Sequence, residues 1–76
     1  MNIKRIKDLR TDNDIKQKEI ANFLNCTQQQ YSEYENEKRL IPIDRLELIA
    51  DFYNTSTDYI LGRTDVYKPY PKVKRD

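Results

Sequence analysis

The 76-residue chain has no histidine, no tryptophan, a single cysteine, a single glycine and three prolines. Each scarcity excludes something. One cysteine cannot build a disulfide framework, and without histidine no zinc site of several Cys or His ligands can form within the chain. Imidazole-based acid–base catalysis is excluded as well. There is no phosphate-binding glycine loop, and no carboxylate cluster stands out, so the sequence argues against an enzyme and calls for no metal and no cofactor. No apolar run approaches the ~20 residues needed to span a bilayer. The first residues, MNIKRIKDLR, lack the continuous apolar stretch of a signal peptide. The expectation is a reduced, soluble, cytoplasmic domain with no membrane partner. A chain of this length has room for one small domain that buries only ~60% of its unfolded surface.

Charge is abundant, but it nearly cancels: 14 Lys and Arg stand against 13 Asp and Glu, for a net charge of +1. As a bulk number this would weigh against nucleic acid as a partner. The distribution says otherwise. Lys4, Arg5, Lys7 and Arg10 against Asp8 make residues 1–10 basic. Residues 11–37 are acidic, Lys38 and Arg39 are basic, residues 40–65 are acidic again, and 66–76 return to basic. A net charge conceals this alternation.

So few breakers among so many Lys, Glu, Gln, Ile and Leu favour helices, and no stretch alternates long enough for a sheet. The spacing predicts a first helix over residues 2–12, with Ile3, Ile6, Leu9 and Arg10 on one stripe. The polar turn formers Thr11, Asp12, Asn13 and Asp14 follow. A second helix starts near Gln17 and turns Ile20, Ala21 and Leu24 inward. Asn25 can end it, because Asn tolerates a left-handed backbone. Thr27 is placed to cap a third helix running to about Asn36, with Tyr31 and Tyr34 inward. Pro42 fits the first turn of a fourth helix, with Ile43, Leu46, Ile49, Ala50 and Tyr53 inward. Asn54 ends that helix, Ser56 caps a short fifth helix holding Tyr59, Ile60 and Leu61, and Gly62 stops it. The expectation is an all-α, compact five-helix domain over residues 1–65. Residues 66–76 (VYKPYPKVKRD) then read as a basic, Pro-containing tail, extended or disordered.

Residues 17–36 have the layout of a helix-turn-helix. Two helices meeting at a steep angle need a small residue where their axes approach, and Ala21 supplies it. The turn needs a residue that accepts positive φ, and Asn25 lies four positions on. Tyr31 and Tyr34 are spaced to anchor the second helix of the pair. Its outer face is left with Gln28, Gln29, Ser32 and Glu33, with Gln30 at the margin. All can hydrogen-bond base edges in a major groove.

In order and spacing the chain resembles the phage repressor and Cro type of helix-turn-helix, the XRE family, over about residues 3–65. The resemblance rests on Leu9-Arg10, the run Gln17 to Ala21, Thr27-Gln28-Gln29, Tyr31 to Asn36, Lys38-Arg39, Ile41-Pro42, Leu46, Ile49-Ala50 and Asp58 to Arg63. It implies a five-helix, lambda-repressor-like domain that binds operator DNA as a homodimer. It further implies that Gln28 and Gln29 read bases, and that Gln17 touches a phosphate and braces the recognition helix. Thr27, at the head of that helix, is assigned with Lys18, Gln30, Asn36, Lys38 and Arg39 to the DNA backbone. Arg10 and Glu35 match a partly buried ion pair. The dimer contact falls at the end of helix four and on helix five: Tyr53, Asn54, Thr55, Ser56, Thr57 and Tyr59.

Two positions depart from the family pattern. Glu37 stands where many relatives have glycine, implying either strain or a different loop with Asn36 as the turn residue. Glu33 stands where many carry Arg or Lys. A glutamate there cannot pair with phosphate; it can accept from cytosine N4, exclude other bases, or simply weaken binding.

The plainer readings belong beside these. A Gln-Gln-Gln run is ordinary solvated surface on most helices. Tyr31 and Tyr34 fit a core better than a base-stacking platform, which needs exposed rings beside a basic groove. Cys26 reads as half-buried filler, since no activating neighbour marks it as a redox switch. The tail is either a solubilising end, an arm for phosphates, or a dimer contact through Val66, Tyr67 and Tyr70. The function expected is a sequence-specific double-stranded DNA-binding transcriptional regulator. It is read as a repressor of phage or other mobile-element type that occludes a promoter. The alternative is a protein-interaction module on the same fold, an antitoxin-like or partner-binding regulator with weak DNA affinity, which the acidic blocks motivate.

Overall fold

The structure, a computed structural model, describes residues 3–71. Five helices follow one another: α1 (Arg5–Asp12), α2 (Gln17–Phe23), α3 (Gln28–Glu35), α4 (Ile43–Phe52) and α5 (Thr57–Ile60). No strand occurs among the described residues. The expected start of helix one at residue 2, and residues 72–76 of the expected tail, lie outside the described residues.

The core is built from the apolar stripes. Ile3, Ile6 and Leu9 of the first segment meet Ile20, Ala21 and Leu24, Tyr31 and Tyr34, and Leu46, Ile49, Ala50, Tyr53 and Ile60. Tyr31 and Tyr34 are fully buried, so both rings are core. Ile43 differs from the sequence expectation. It is 66% exposed, and Ile41, which precedes the helix, is buried instead. Pro42, at φ −62° and ψ 148°, is extended and serves as the N-cap, so α4 begins only at Ile43. The inward stripe of α4 then starts one turn later, at Leu46, and the extended approach carries Ile41 into the core.

All five helices stop in the same way. Asp14, Asn25, Glu37, Asn54 and Gly62 each have φ between 56° and 75°. In each case the left-handed residue donates its N–H to the carbonyl three residues back, and the next residue donates five residues back. In α3, Glu37 N–H reaches Tyr34 O at 3.1 Å and Lys38 N–H reaches Glu33 O at 2.9 Å. This Schellman arrangement satisfies carbonyls that a helix end leaves orphaned. Asn25, Asn54 and Gly62 suit it, since Asn and Gly carry little or no penalty for positive φ. Glu37 does not. The turn after α3 is therefore carried by Glu37 (φ 57°) and not by Asn36, which is the C-cap at φ −89°. The reason is positional: α3 ends at Glu35, so the left-handed place falls on residue 37 whatever occupies it.

The starts are individual. Thr27 Oγ1 accepts from Gln30 N–H at 3.1 Å, and Ser56 Oγ accepts from Tyr59 N–H at 3.0 Å. Each satisfies an orphan donor of its helix. Glu19 reaches back to Lys16 N–H at 3.5 Å.

The described residues beyond α5, 61–71, have no regular secondary structure, but they pack back on the body. Thr55 Oγ1 donates to Tyr67 O and Tyr67 Oη donates to Tyr53 O, both at 2.6 Å. The Tyr59 and Tyr67 rings meet edge-on at 5.2 Å. Arg5 secures the same corner, donating to Tyr59 O at 2.8 Å and Thr64 O at 2.7 Å, with its guanidinium 4.3 Å from the Tyr59 ring centre.

Candidate nucleic-acid interface

α2 and α3 form the helix-turn-helix. Ala21 is buried where the pair packs, and Asn25 makes the turn with φ 59°. Tyr31 and Tyr34 hold α3 to the body, and Arg45 adds a bond to Tyr34 Oη at 2.6 Å. With its apolar side committed inward, α3 turns Gln28, Gln29, Ser32, Glu33 and Asn36 to one outer face. Together with Gln17 and Lys38 these line a single open cleft of about 560 Å³.

The side chains on this face are in different states. Gln28 and Gln29 are exposed, and their amides make no hydrogen bond among the described residues. Lys18 and Lys38 are exposed cations, and Gln30 is half-buried at the margin. Asn36 Nδ2 donates to Ser32 Oγ at 3.3 Å, which leaves the Ser32 hydroxyl proton available. Thr27 Oγ1 accepts from Gln30 N–H in the cap and likewise keeps its hydroxyl proton. Glu33 Oε1 accepts from Arg39 Nε at 3.1 Å.

Behind the face lies an ion pair. Arg10 Nε donates to Glu35 Oε2 at 2.6 Å and Nη2 donates to Oε1 at 3.2 Å, a two-pronged geometry. The Glu35 side chain is only 2% exposed and that of Arg10 15%. Gln17 Nε2 donates to Glu35 Oε1 at 3.2 Å, and Arg10 Nη1 also donates to Ile15 O at 3.1 Å. Burial pushes the Glu35 carboxyl up, but hydrogen bonds led by Arg10 outweigh it and hold the group below the ordinary carboxylate range. Burial above all, helped by the neighbouring Glu35 carboxylate, pushes the Tyr31 hydroxyl well up, so it stays protonated. One carboxylate thus ties α1 to the end of α3 and positions Gln17 at the edge of the cleft.

The six residues expected at a dimer contact are not equally available. Tyr53, Thr55 and Ser56 are buried within the protomer, and the chain's own Tyr67 bonds to the first two. Thr57 and Tyr59 are half-buried, and Asn54 is exposed. Sequence reasoning missed this because it treated residues 66–70 as a free tail. The signal lay in Tyr67 and Tyr70, two aromatic rings in an otherwise polar segment.

The geometry is that of a helix-turn-helix domain with a polar outer helix. Comparison agrees: the helix-turn-helix family model matches residues 6–60. The chain belongs to this helix-turn-helix family, of the phage repressor and Cro type. Among curated proteins it is 36% identical over 75 residues to the HTH-type transcriptional regulator YobD of Bacillus subtilis (strain 168), covering 99% of this chain and 65% of that protein. It is 40% identical over 65 residues to the HTH-type transcriptional regulator ImmR of the same organism, covering 86% of this chain and 51% of that protein. The chain therefore spans between half and two thirds of the length of these relatives. No solved structure matches it significantly. Among the described residues no helix is long and apolar enough to cross a membrane.

Proposed function

We propose that this chain binds double-stranded DNA sequence-specifically, with α3 in the major groove, and acts as a transcriptional repressor by covering a promoter. The observation that carries the reading is the pair of exposed, unengaged amides of Gln28 and Gln29 at the capped head of α3. A glutamine amide can bond adenine at both N6 and N7. A solvated polar face would look similar in isolation. Here it sits on a helix fixed from behind by Tyr31, Tyr34 and the Arg10–Glu35–Gln17 cluster, which is the preorganisation that base reading needs.

The backbone contacts would come from Gln17, Lys18, Thr27, Gln30, Asn36 and Lys38, of which Gln17, Asn36 and Lys38 line the cleft. Thr27 would act through its backbone N–H at the helix start or through its hydroxyl proton, since the cap uses Oγ1 only as an acceptor. One recognition helix reads only ~4–5 base pairs, too few for useful discrimination in a genome. Two copies on a pseudo-palindromic site, with half-sites ~34 Å apart, double the readout. The surface for that pairing is the α4–α5 corner, with Asn54, Thr57 and Tyr59 joined by the packed Tyr67 and Tyr70.

Selection of bound sites from a random duplex pool tests the reading directly. A pseudo-palindromic consensus is expected, and affinity for it should fall steeply with salt. A Gln28→Ala protein that kept full preference for the selected site would refute base reading. Absence of any mobility shift at low salt would refute DNA binding and favour the protein-interaction module.

A further inference from the structure

Glu33 and Arg39 stand out on the proposed DNA face as its only mutually paired charges among the described residues. Sequence reasoning treated them separately, Glu33 as a base-facing carboxylate able to accept from cytosine N4 and Arg39 as a phosphate contact. The structure joins them, and the stop of α3 explains how. Glu37 turns the chain back with its positive φ, and Lys38 N–H closes on Glu33 O at 2.9 Å. The next residue, Arg39, is thereby returned beside the last turn of α3, and its Nε meets Glu33 Oε1 at 3.1 Å. Both side chains remain open, 53% exposed for Arg39 and 32% for Glu33.

What the couple leaves unspent is informative. Among the described residues only one carboxylate oxygen and only Nε are engaged. The second carboxylate oxygen is a free acceptor, and the two Nη groups are free donors beside it. A C·G base pair offers the complement in the major groove: the N4 amino donor of cytosine next to the O6 and N7 acceptors of guanine. An A·T pair sets its one donor between two acceptors and adds a methyl group. It suits neither a carboxylate nor a two-pronged guanidinium beside one. A couple of zero net charge also gains little from phosphate, whereas a lone arginine would gain much.

We propose that Glu33 and Arg39 act as one reader of a single C·G base pair in each half-site, with Glu33 accepting from cytosine N4 and Arg39 donating to guanine O6 and N7. This rests on the DNA-binding reading above and reassigns Arg39 from phosphate to base.

The test uses the duplex recovered by selection, with every position of one half-site permuted, and the variants Glu33→Gln, Arg39→Gln and the double variant. Both single variants should lose discrimination at the same C·G pair, by roughly 10-fold or more, and the double variant should lose no more. Arg39→Gln should leave the slope of log affinity against log salt unchanged. Glu33→Gln releases Arg39 to phosphate and should steepen that slope by ~0.9. If Arg39→Gln weakens binding to all duplexes equally and flattens the slope by ~0.9, Arg39 is a phosphate contact and the proposal falls. Loss of discrimination at two different base pairs, or at none, overturns it equally while leaving DNA binding intact. Failure of the unaltered chain to select any site would instead remove the DNA-binding reading, and this one with it.

Discussion

Replacing Glu35 alone is expected to damage this protein more than replacing Glu35 and Arg10 together. In Glu35→Ala the Arg10 guanidinium keeps its buried place, 15% exposed, but loses both prongs of its ion pair and retains only the bond to Ile15 O. Gln17 loses its acceptor in the same step. Removing one partner of a buried pair costs about 3–5 kcal/mol, because a desolvated charge is left uncompensated. Arg10 retains some water and one carbonyl, so the lower end, about 3 kcal/mol, applies. A domain of this size has about 4–11 kcal/mol to lose, so the midpoint temperature should drop by roughly 12–24 °C. An apolar pair, Arg10→Met with Glu35→Leu, removes both charges and should cost about 1 kcal/mol or less. Urea titrations of the unaltered chain, Arg10→Met, Glu35→Leu and the double variant close the cycle, and a coupling of about 2 kcal/mol or more is expected. Additive single changes would show that the pair contributes nothing beyond two solvated charges. The pair also has a pH signature. Glu35 is held below its ordinary range, so its stabilisation is fully present above the unfolded value of 4.5 and is lost as pH falls through the lower folded value. Glu35→Gln should flatten that acid limb of the stability curve.

Three further outcomes follow from particular contacts. Thr27→Ala removes the acceptor for Gln30 N–H and should cost about 1 kcal/mol of stability by thermal unfolding; an unchanged midpoint would mean the cap is silent. Glu37→Gly relieves a non-glycine left-handed residue and should raise the midpoint by a few degrees, corresponding to at most about 1 kcal/mol; a fall would mean the Glu37 side chain contributes something the backbone argument omits. Tyr67→Phe deletes the hydroxyl that donates to Tyr53 O at 2.6 Å. It should cost about 1 kcal/mol and raise hydrogen exchange at residues 64–70, and exchange that stays the same would show that the ring alone holds the segment.

The charge pattern that opened as an objection to DNA is resolved by pairing. Two acidic groups of α3 have partners: Glu35 is internal with Arg10, and Glu33 is coupled to Arg39. Of the acidic residues near the outer helix, Glu37 is left without an ion pair among the described residues. A face of this kind is expected to bind modestly and to depend on a second copy, with strong salt sensitivity carried by a few lysines.

What was legible in the sequence was what local chemistry dictates. The period of Ile6, Leu9, Ile20, Leu46, Ile49 and Ile60 marks which helix faces are apolar. Thr27 and Ser56 mark starts, and Asn25, Asn54 and Gly62 mark stops, because their side chains act on the backbone within a few residues. The outer face of α3 was legible as the complement of Tyr31 and Tyr34. Arg10 with Glu35 was reachable only through family resemblance, since nothing local links residues 25 apart.

The remaining features were decided by tertiary structure, because they depend on where the chain returns in space. Ile43 is apolar and in phase, yet exposed, since the body ends one turn below it and Ile41 fills the gap. Glu37 takes a left-handed backbone against its own preference, since the end of α3 is set by packing and the stop falls where it must. Tyr67 closes over Tyr53 and Thr55 and withdraws them from the surface. Glu33 and Arg39, six residues apart, become neighbours only through the turn at Glu37. By itself the sequence determined a five-helix domain with a polar recognition helix. Only the folded chain decided which of its charges are already spent on one another, because opposite charges cancel where they touch and not where they are counted.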